Sequence, residues 1–226
     1  MAISSGIFSN PHLMVKLTSQ QQDTVDAFFA PGKDKRLMLL AGPVCGLTNN
    51  VTNIAVANLI DKRRSTLVVS QNAAKYAPFV ISAVNEMLPR DQPLVITGNR
   101  IYQRHEARTF VEFVDHSAFT PDFVALRAEL PIDIIIEGLA PFASTQDWQQ
   151  SAAAINPDTI LICDEPLVMN GEKPLCYELA TSEQYQVMHH STLKSSLVKS
   201  RFNISSLRKP EETEEDFQAR LEGVFR

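Results

Sequence analysis

Apolar residues in this chain fall in short, nearly continuous runs rather than in alternation. Five runs, RLMLLA (36–41), STLVVS (65–70), PLVITG (93–98), IDIIIEG (132–138) and TILIC (159–163), are rich in Val, Ile and Leu. That is the pattern of strands buried on both faces. The longer stretches between them predict helices over 19–30, 48–61, 72–88, 102–116, 121–130 and 145–155. Alternating strands and helices predict an α/β fold, a parallel sheet with helices on both faces. Segment 176–209 is polar and predicts no strand. Segment 210–226, PEETEEDFQARLEGVFR, opens with acids and ends with arginine, which suits a helix macrodipole and predicts a terminal helix. Its Phe217, Leu221 and Val224 share one face and can dock on the domain. The expected organisation is an N-terminal extension (1–16), a main domain (17–209) and a C-terminal helix (210–226).

Composition narrows the classes. With 226 residues, 44% hydrophobic and 21% charged, the chain is long enough for one large domain. A net charge of −5 excludes an overall basic field. The clusters Lys33, Lys35, Arg36 and Lys62, Arg63, Arg64 read as solvated faces, with a local basic groove as the alternative. Cys45, Cys163 and Cys176 are an odd number without metal-ligand spacing, as expected of a reducing, intracellular compartment, cytoplasmic or nuclear. The N-terminus has neither a basic n-region nor a sustained apolar core, so no signal peptide is expected. No apolar run approaches bilayer length, so no membrane association is expected. His105, His116, His189 and His190 lack the spacing of a metal site, and no Ser/His/Asp arrangement favours nucleophilic catalysis.

The most informative stretch is RLMLLAGPVCGLTNN (36–50). A strand runs through a turn into a helix at the place where a phosphate-binding loop carries G-x-x-x-x-G-K-[ST]. Here the frame reads Ala41, Gly42, Pro43, Val44, Cys45, Gly46, Leu47, Thr48. The second glycine and the hydroxyl are present, but alanine stands for the first glycine and leucine for the lysine. An ordinary strand-to-helix turn accounts for the same residues if taken alone. A second feature is ILICDEPLVM (160–169): four apolar residues and then Asp-Glu, the Walker B pattern, which sets a carboxylate at a strand tip.

Four segments in order resemble the first RecA-like motor domain of superfamily 1 helicases of the nonsense-mediated-decay type. They are LTSQQ (17–21), the degenerate loop, TLVVSQNAAKYAPFVISAV (66–84) and ILICDEPLVM; STLKSSLVKSRF (191–202) adds a fainter likeness. The resemblance implies a RecA-like P-loop NTPase fold over roughly 15–205. It implies that Gln21 reads an adenine edge, and that Gly42, Gly46, Leu47 and Thr48 surround nucleotide phosphates. Thr48 and Asp164 would hold Mg²⁺, and Glu165 would polarise the attacking water. Ser70 and Asn72 would contact a nucleic-acid backbone. A second register stays open, in which IDIIIEGLA (132–140) is the Walker B strand with Ile136 where Asp belongs; the first keeps the Asp-Glu pair intact and is preferred.

Replacing the loop lysine by leucine removes a charge from the phosphates, so ATP and Mg²⁺ are expected to bind weakly and efficient hydrolysis is not expected. Lys33 and Lys35 lie at the wrong end of their strand to substitute; Lys75 and Arg100 are better placed. Too little chain follows Asp164 for a second motor domain, so translocation is expected to need one from a protein partner. The sequence therefore reads as a degenerate, non-hydrolysing module of nucleic-acid metabolism, RNA or DNA. A residual ATPase fragment and an α/β protein-interaction domain are the alternatives.

Overall fold

The computed structural model describes residues 17–87, 93–127, 132–142, 144–168, 172–195 and 203–225. The strands are β1 (Lys35–Ala41), β2 (Ser65–Ser70), β3 (Leu94–Thr97), β4 (Arg100–Gln103), β5 (Glu106–Val114), β6 (Ile132–Glu137), β7 (Thr159–Asp164) and β8 (Gln186–His190). They form one sheet in the order β3-β4-β5-β2-β6-β7-β1-β8. From β5 to β8 every pairing is parallel, and β3 and β4 extend the β5 edge as antiparallel strands.

Successive side chains of a strand point to opposite faces, so a two-sided sheet needs apolar residues at every position. Leu37, Leu39, Val68, Ile135 and Leu161 face one layer, with α1 (Ser19–Phe29), α2 (Leu47–Ala57) and α3 (Ala77–Met87). Met38, Leu40, Leu67, Val69, Ile134 and Ile136 face the other, with α4 (Pro121–Ala125), α5 (Thr145–Ala153) and α6 (Leu175–Ala180). The predicted parallel sheet with helices on both faces is the observed architecture. Among the described residues no helix is long and apolar enough to cross a membrane.

Three sequence expectations are corrected. Segment 102–116 is not a helix but the end of β4, a turn at Arg104–His105, and β5. Its Phe110, Val111, Phe113 and Val114 are all buried, because β5 lies beside β2 and is covered on both faces. Segment 93–98 supplies only the short edge strand β3, whose Ile96 is 55% exposed. Segment 176–209 contains a strand after all: β8 pairs in parallel with β1. The C-terminal helix forms as α7 (Glu214–Leu221), with Thr213 accepting from the Asp216 N–H and acids in its first turn. Phe217 and Leu221 are buried and Val224 is half-buried. The expected extension 1–16 and most of the STLKSSLVKSRF stretch lie outside the described residues.

The end of the sheet opposite the loop is tied by a buried ion pair. The last turn of the α2 stretch is π-helical (Asn58–Lys62), and Arg63 leaves it in the left-handed conformation. Arg64 then donates through Nε and Nη2 to Asp133 at 2.8 and 2.9 Å, and Asn58 Nδ2 adds a third bond at 3.0 Å. Asp133 is 2% exposed, whereas Arg64 is 26% exposed and also pairs with Asp158. Removing the carboxylate from such a site leaves buried donors unmatched, but Arg64 keeps some solvent and a second partner. Asp133→Ala is expected to cost about 3 kcal/mol, the low end for a broken buried pair. Asp61→Ala, which breaks the exposed pair with Lys62, is expected to cost less than about 0.5 kcal/mol. Urea unfolding of the two variants measures both.

Candidate functional site

The loop after β1 is built by its backbone. Val44 and Gly46 take positive φ, 63° and 76°, and Gly46 caps α2, whose first residues are Leu47 and Thr48. The loop is held from behind by β8 and the C-terminal segment. The Gly42 N–H donates to the His190 carbonyl at 2.9 Å, Thr192 Oγ1 donates to the Pro43 carbonyl at 2.6 Å, and the Thr192 N–H donates to the Leu221 carbonyl at 2.7 Å. A Cβ at Gly42 would lie 2.5 Å from Thr192 Oγ1 and 2.8 Å from the Arg220 and Leu221 carbonyl oxygens, so only glycine fits. The N–H groups of Val44, Cys45, Gly46, Leu47 and Thr48 donate to no described residue. Successive free N–H groups at a helix N-terminus form a concavity suited to an anion.

Gln21 is fully buried and turned to the loop. Its Nε2 donates to the Cys45 and Gly46 carbonyls at 3.2 and 3.1 Å. Its Oε1 accepts from the Thr18 N–H, and its own N–H donates to Thr18 Oγ1, a capping box. Its amide therefore braces the loop instead of facing a base. The Cys45 thiol donates to the His190 carbonyl at 3.3 Å; burial raises its pKa, the opposite of an activated thiol. His190 Nε2 lies 2.9 Å from Thr24 Oγ1, and burial pushes its pKa down to about 4. His189 Nδ1 bonds the Gly223 carbonyl. No group of ligands suited to a metal ion occurs among the described residues.

Leu47 lines a cavity of about 520 Å³ outside the carboxyl ends of β6 and β7, together with Glu137, Asp164, Glu165 and Lys173. Such crevices are where ligands of parallel sheets bind. The carboxylates that reach it are already engaged. Asp164 accepts from the Leu139 N–H at 3.0 Å and the Glu165 N–H at 2.8 Å. Glu165 leans toward Arg220, 3.6 Å away, a side chain 1% exposed that is also paired with Glu212. Burial raises the Glu165 pKa, and Arg220 opposes this. Glu137 accepts from Ser70 Oγ at 2.6 Å and from Lys75 Nζ at 2.8 Å. Burial disfavours its charge, but the Lys75 and Ser70 hydrogen bonds outweigh it and hold its pKa below the usual range. The Tyr76 hydroxyl faces both Glu137 and Thr48 without a well-formed hydrogen bond to either.

The remaining sequence candidates fall apart spatially. Ser70 is 2% exposed and donates to Glu137, so it has no surface to offer a nucleic-acid backbone; Asn72 is exposed. Lys75 is near the cavity but paired with Glu137. Arg100 is on β4, paired with Glu112 beside Arg127, and takes no part in the site. Lys35 lies at the opposite end of β1, bonded to the Phe28 and Ala30 carbonyls. Sequence reading missed Glu137, Lys173 and Arg220; the polar residue closing the IDIIIE run was the one available signal.

Solved structures share this fold. The chain superposes on the large terminase of a thermophilic bacteriophage with a TM-score of 0.59 and 12% identity, over 91% of this chain and 52% of that one. It superposes on the large terminase ATPase domain of Thermus phage P74-26 with a TM-score of 0.55 and 14% identity, over 88% and 91%. The fold is that of a P-loop NTPase. At such identities the likeness is one of fold, and the chain spans about half the length of the first of these terminase chains. No protein-family model matches the chain, and no curated protein does.

Burial at the cavity floor, only partly offset by the two N–H groups, pushes the Asp164 pKa up to about 6. A carboxyl whose folded pKa lies above its unfolded value binds its proton more tightly when folded. Its contribution to stability is therefore complete below about pH 4 and is lost as pH rises through 6. Side-chain carboxyl ¹³C NMR is expected to show Asp164 titrating near 6, with that resonance absent in Asp164→Asn.

Proposed function

We propose that this chain is a P-loop module that holds the phosphate groups of a nucleotide without turning it over, as a binding or regulatory part in nucleic-acid metabolism. One observation carries the reading: the loop backbone is in place, with N–H groups 44–48 unmatched within the described residues, while leucine stands where the phosphate-facing lysine would be. Backbone donors at a helix N-terminus attract anions whatever the side chains, but hydrolysis also needs charge at the γ-phosphate and on the attacking water.

The geometry supports β6 as the Walker B strand. Glu137 ends β6, carries a lowered pKa and lies beside Tyr76, which faces Thr48. The position before it is Ile136, buried in the apolar layer. On this reading the Mg²⁺-binding carboxylate is missing as well as the lysine, and Thr48 is the remaining metal ligand of the expected pair. Asp164, engaged by two N–H groups, and Glu165, turned to Arg220, are then structural. The finer helicase assignment, with RNA or DNA and a second motor domain as partners, rests on motif order; Gln21 and Ser70 face inward and do not add to it.

Thermal unfolding with and without millimolar Mg²⁺-ATP tests the reading. A ligand at ten times its Kd adds about 1.4 kcal/mol to native stability. The expected outcome is a measurable rise in Tm with no phosphate release, and a larger rise in Leu47→Lys, which returns a charge to the loop. No shift in either protein would overturn the nucleotide reading.

A further inference from the structure

The cavity beside the loop holds a charge arrangement that the degenerate motif does not reveal. Four carboxylates line it, Glu137, Asp164, Glu165 and Glu172. Unopposed, they would repel a phosphate chain. Three are opposed from within the fold: Glu137 by Lys75, Glu165 by Arg220, and Asp164 by two backbone N–H groups. Those cations are accordingly not available to a ligand.

Lys173 differs. It lines the same cavity as Leu47, and among the described residues it forms no ion pair. Its ammonium sits 3.8 Å from the centre of the Tyr177 ring. That ring is itself packed edge-on by Phe225 from the C-terminal segment, centroids 5.2 Å apart. The stack holds a flexible four-carbon stem at the rim while leaving the ammonium's hydrogen-bond donors free. An exposed lysine over a tyrosine is in itself an ordinary surface feature. Its place in this cavity, which is also lined by the leucine that occupies the usual lysine position, distinguishes this one.

We propose that Lys173 supplies, from the segment between β7 and α6, the phosphate-facing positive charge that Leu47 cannot. The ligand class is a nucleoside di- or triphosphate, its phosphates bridging the loop N–H groups and the Lys173 ammonium. Tyr177 and Phe225 act as positioning residues for it. This inference rests on the phosphate-binding reading of the loop and adds the residue that completes it.

The test measures ATP affinity, with Mg²⁺ present, by calorimetry for the wild-type chain, Lys173→Ala, Lys173→Arg and Leu47→Lys. Lys173 is exposed, so its variants are expected to keep the wild-type Tm, which serves as the folding control. The expected result is a Kd raised about 10- to 100-fold in Lys173→Ala, the worth of one charge-assisted hydrogen bond. Lys173→Arg should stay within a few-fold of wild type by the same reasoning. Equal binding by wild type and Lys173→Ala would overturn the role of Lys173 and leave the loop reading standing. Binding by Leu47→Lys but not by wild type would do the same, since it shows a competent loop that no other cation serves. Binding by none of the four would overturn the loop reading, and this inference with it.

Discussion

The site depends on a hydrogen-bonded clasp behind the loop. Thr192 donates twice, through its hydroxyl to Pro43 and through its N–H to Leu221, and so joins the loop, the end of β8 and the end of α7 at one residue. Gly42 sits in the middle without room for a Cβ. Gly223 closes the other side, in the left-handed conformation, where a Cβ would lie 2.7 Å from the Leu40 and His190 carbonyl oxygens. A loop with positive φ at Val44 carries a local conformational cost. Packing that fixes it from three sides offsets that cost and keeps one conformation populated.

The same clasp brings the C-terminal segment to the cavity. Arg220 reaches Glu212, the Leu207 carbonyl and Glu165 from a nearly sealed position. Phe225 packs on Tyr177. A segment that sequence reading treats as a docking helix thus helps set the charge state of the cavity wall. Burying a guanidinium is tolerable only with a matched carboxylate, and Glu212, 3% exposed, supplies both oxygens. Glu165 is then a secondary partner, drawn toward a charge already neutralised.

Much of the fold was legible because burial on both faces leaves a local signature. β1, β2, β6 and β7 are central and read as unbroken apolar runs. β5 escaped because Phe110, Val111, Phe113 and Val114 satisfy helical and extended spacing alike; the neighbouring β2, distant in sequence, decides between them. β8 escaped because an edge strand of five residues, QVMHH, needs no apolar run. At the site, the loop frame was legible and side-chain direction was not. Gln21 closes a capping box with Thr18, a Thr-x-x-Gln spacing that sequence reading did not draw on. The inward turn of Ser70 depends on Glu137, sixty-seven residues away in sequence, and had no local sign.

Loss of a motif residue and loss of the site it belonged to are separable events. A phosphate cradle is in general made mainly by backbone N–H groups, and in this loop the backbone is fixed by glycines, by left-handed φ values and by a clasp of carbonyl bonds. None of these depends on the side chain at position 47. Charge is the replaceable part, because a cavity walled by several elements can receive an ammonium from any of them. Catalysis is the part that does not transfer so easily. It needs a carboxylate and a cation together at the reacting phosphate, and Ile136 is sealed in an apolar layer that would oppose an ionised replacement. The physical order of loss runs from turnover to affinity to fold; on the proposed reading, a chain with an ordered loop, a leucine at position 47 and a lysine lining the same cavity would stand between the first of these and the second.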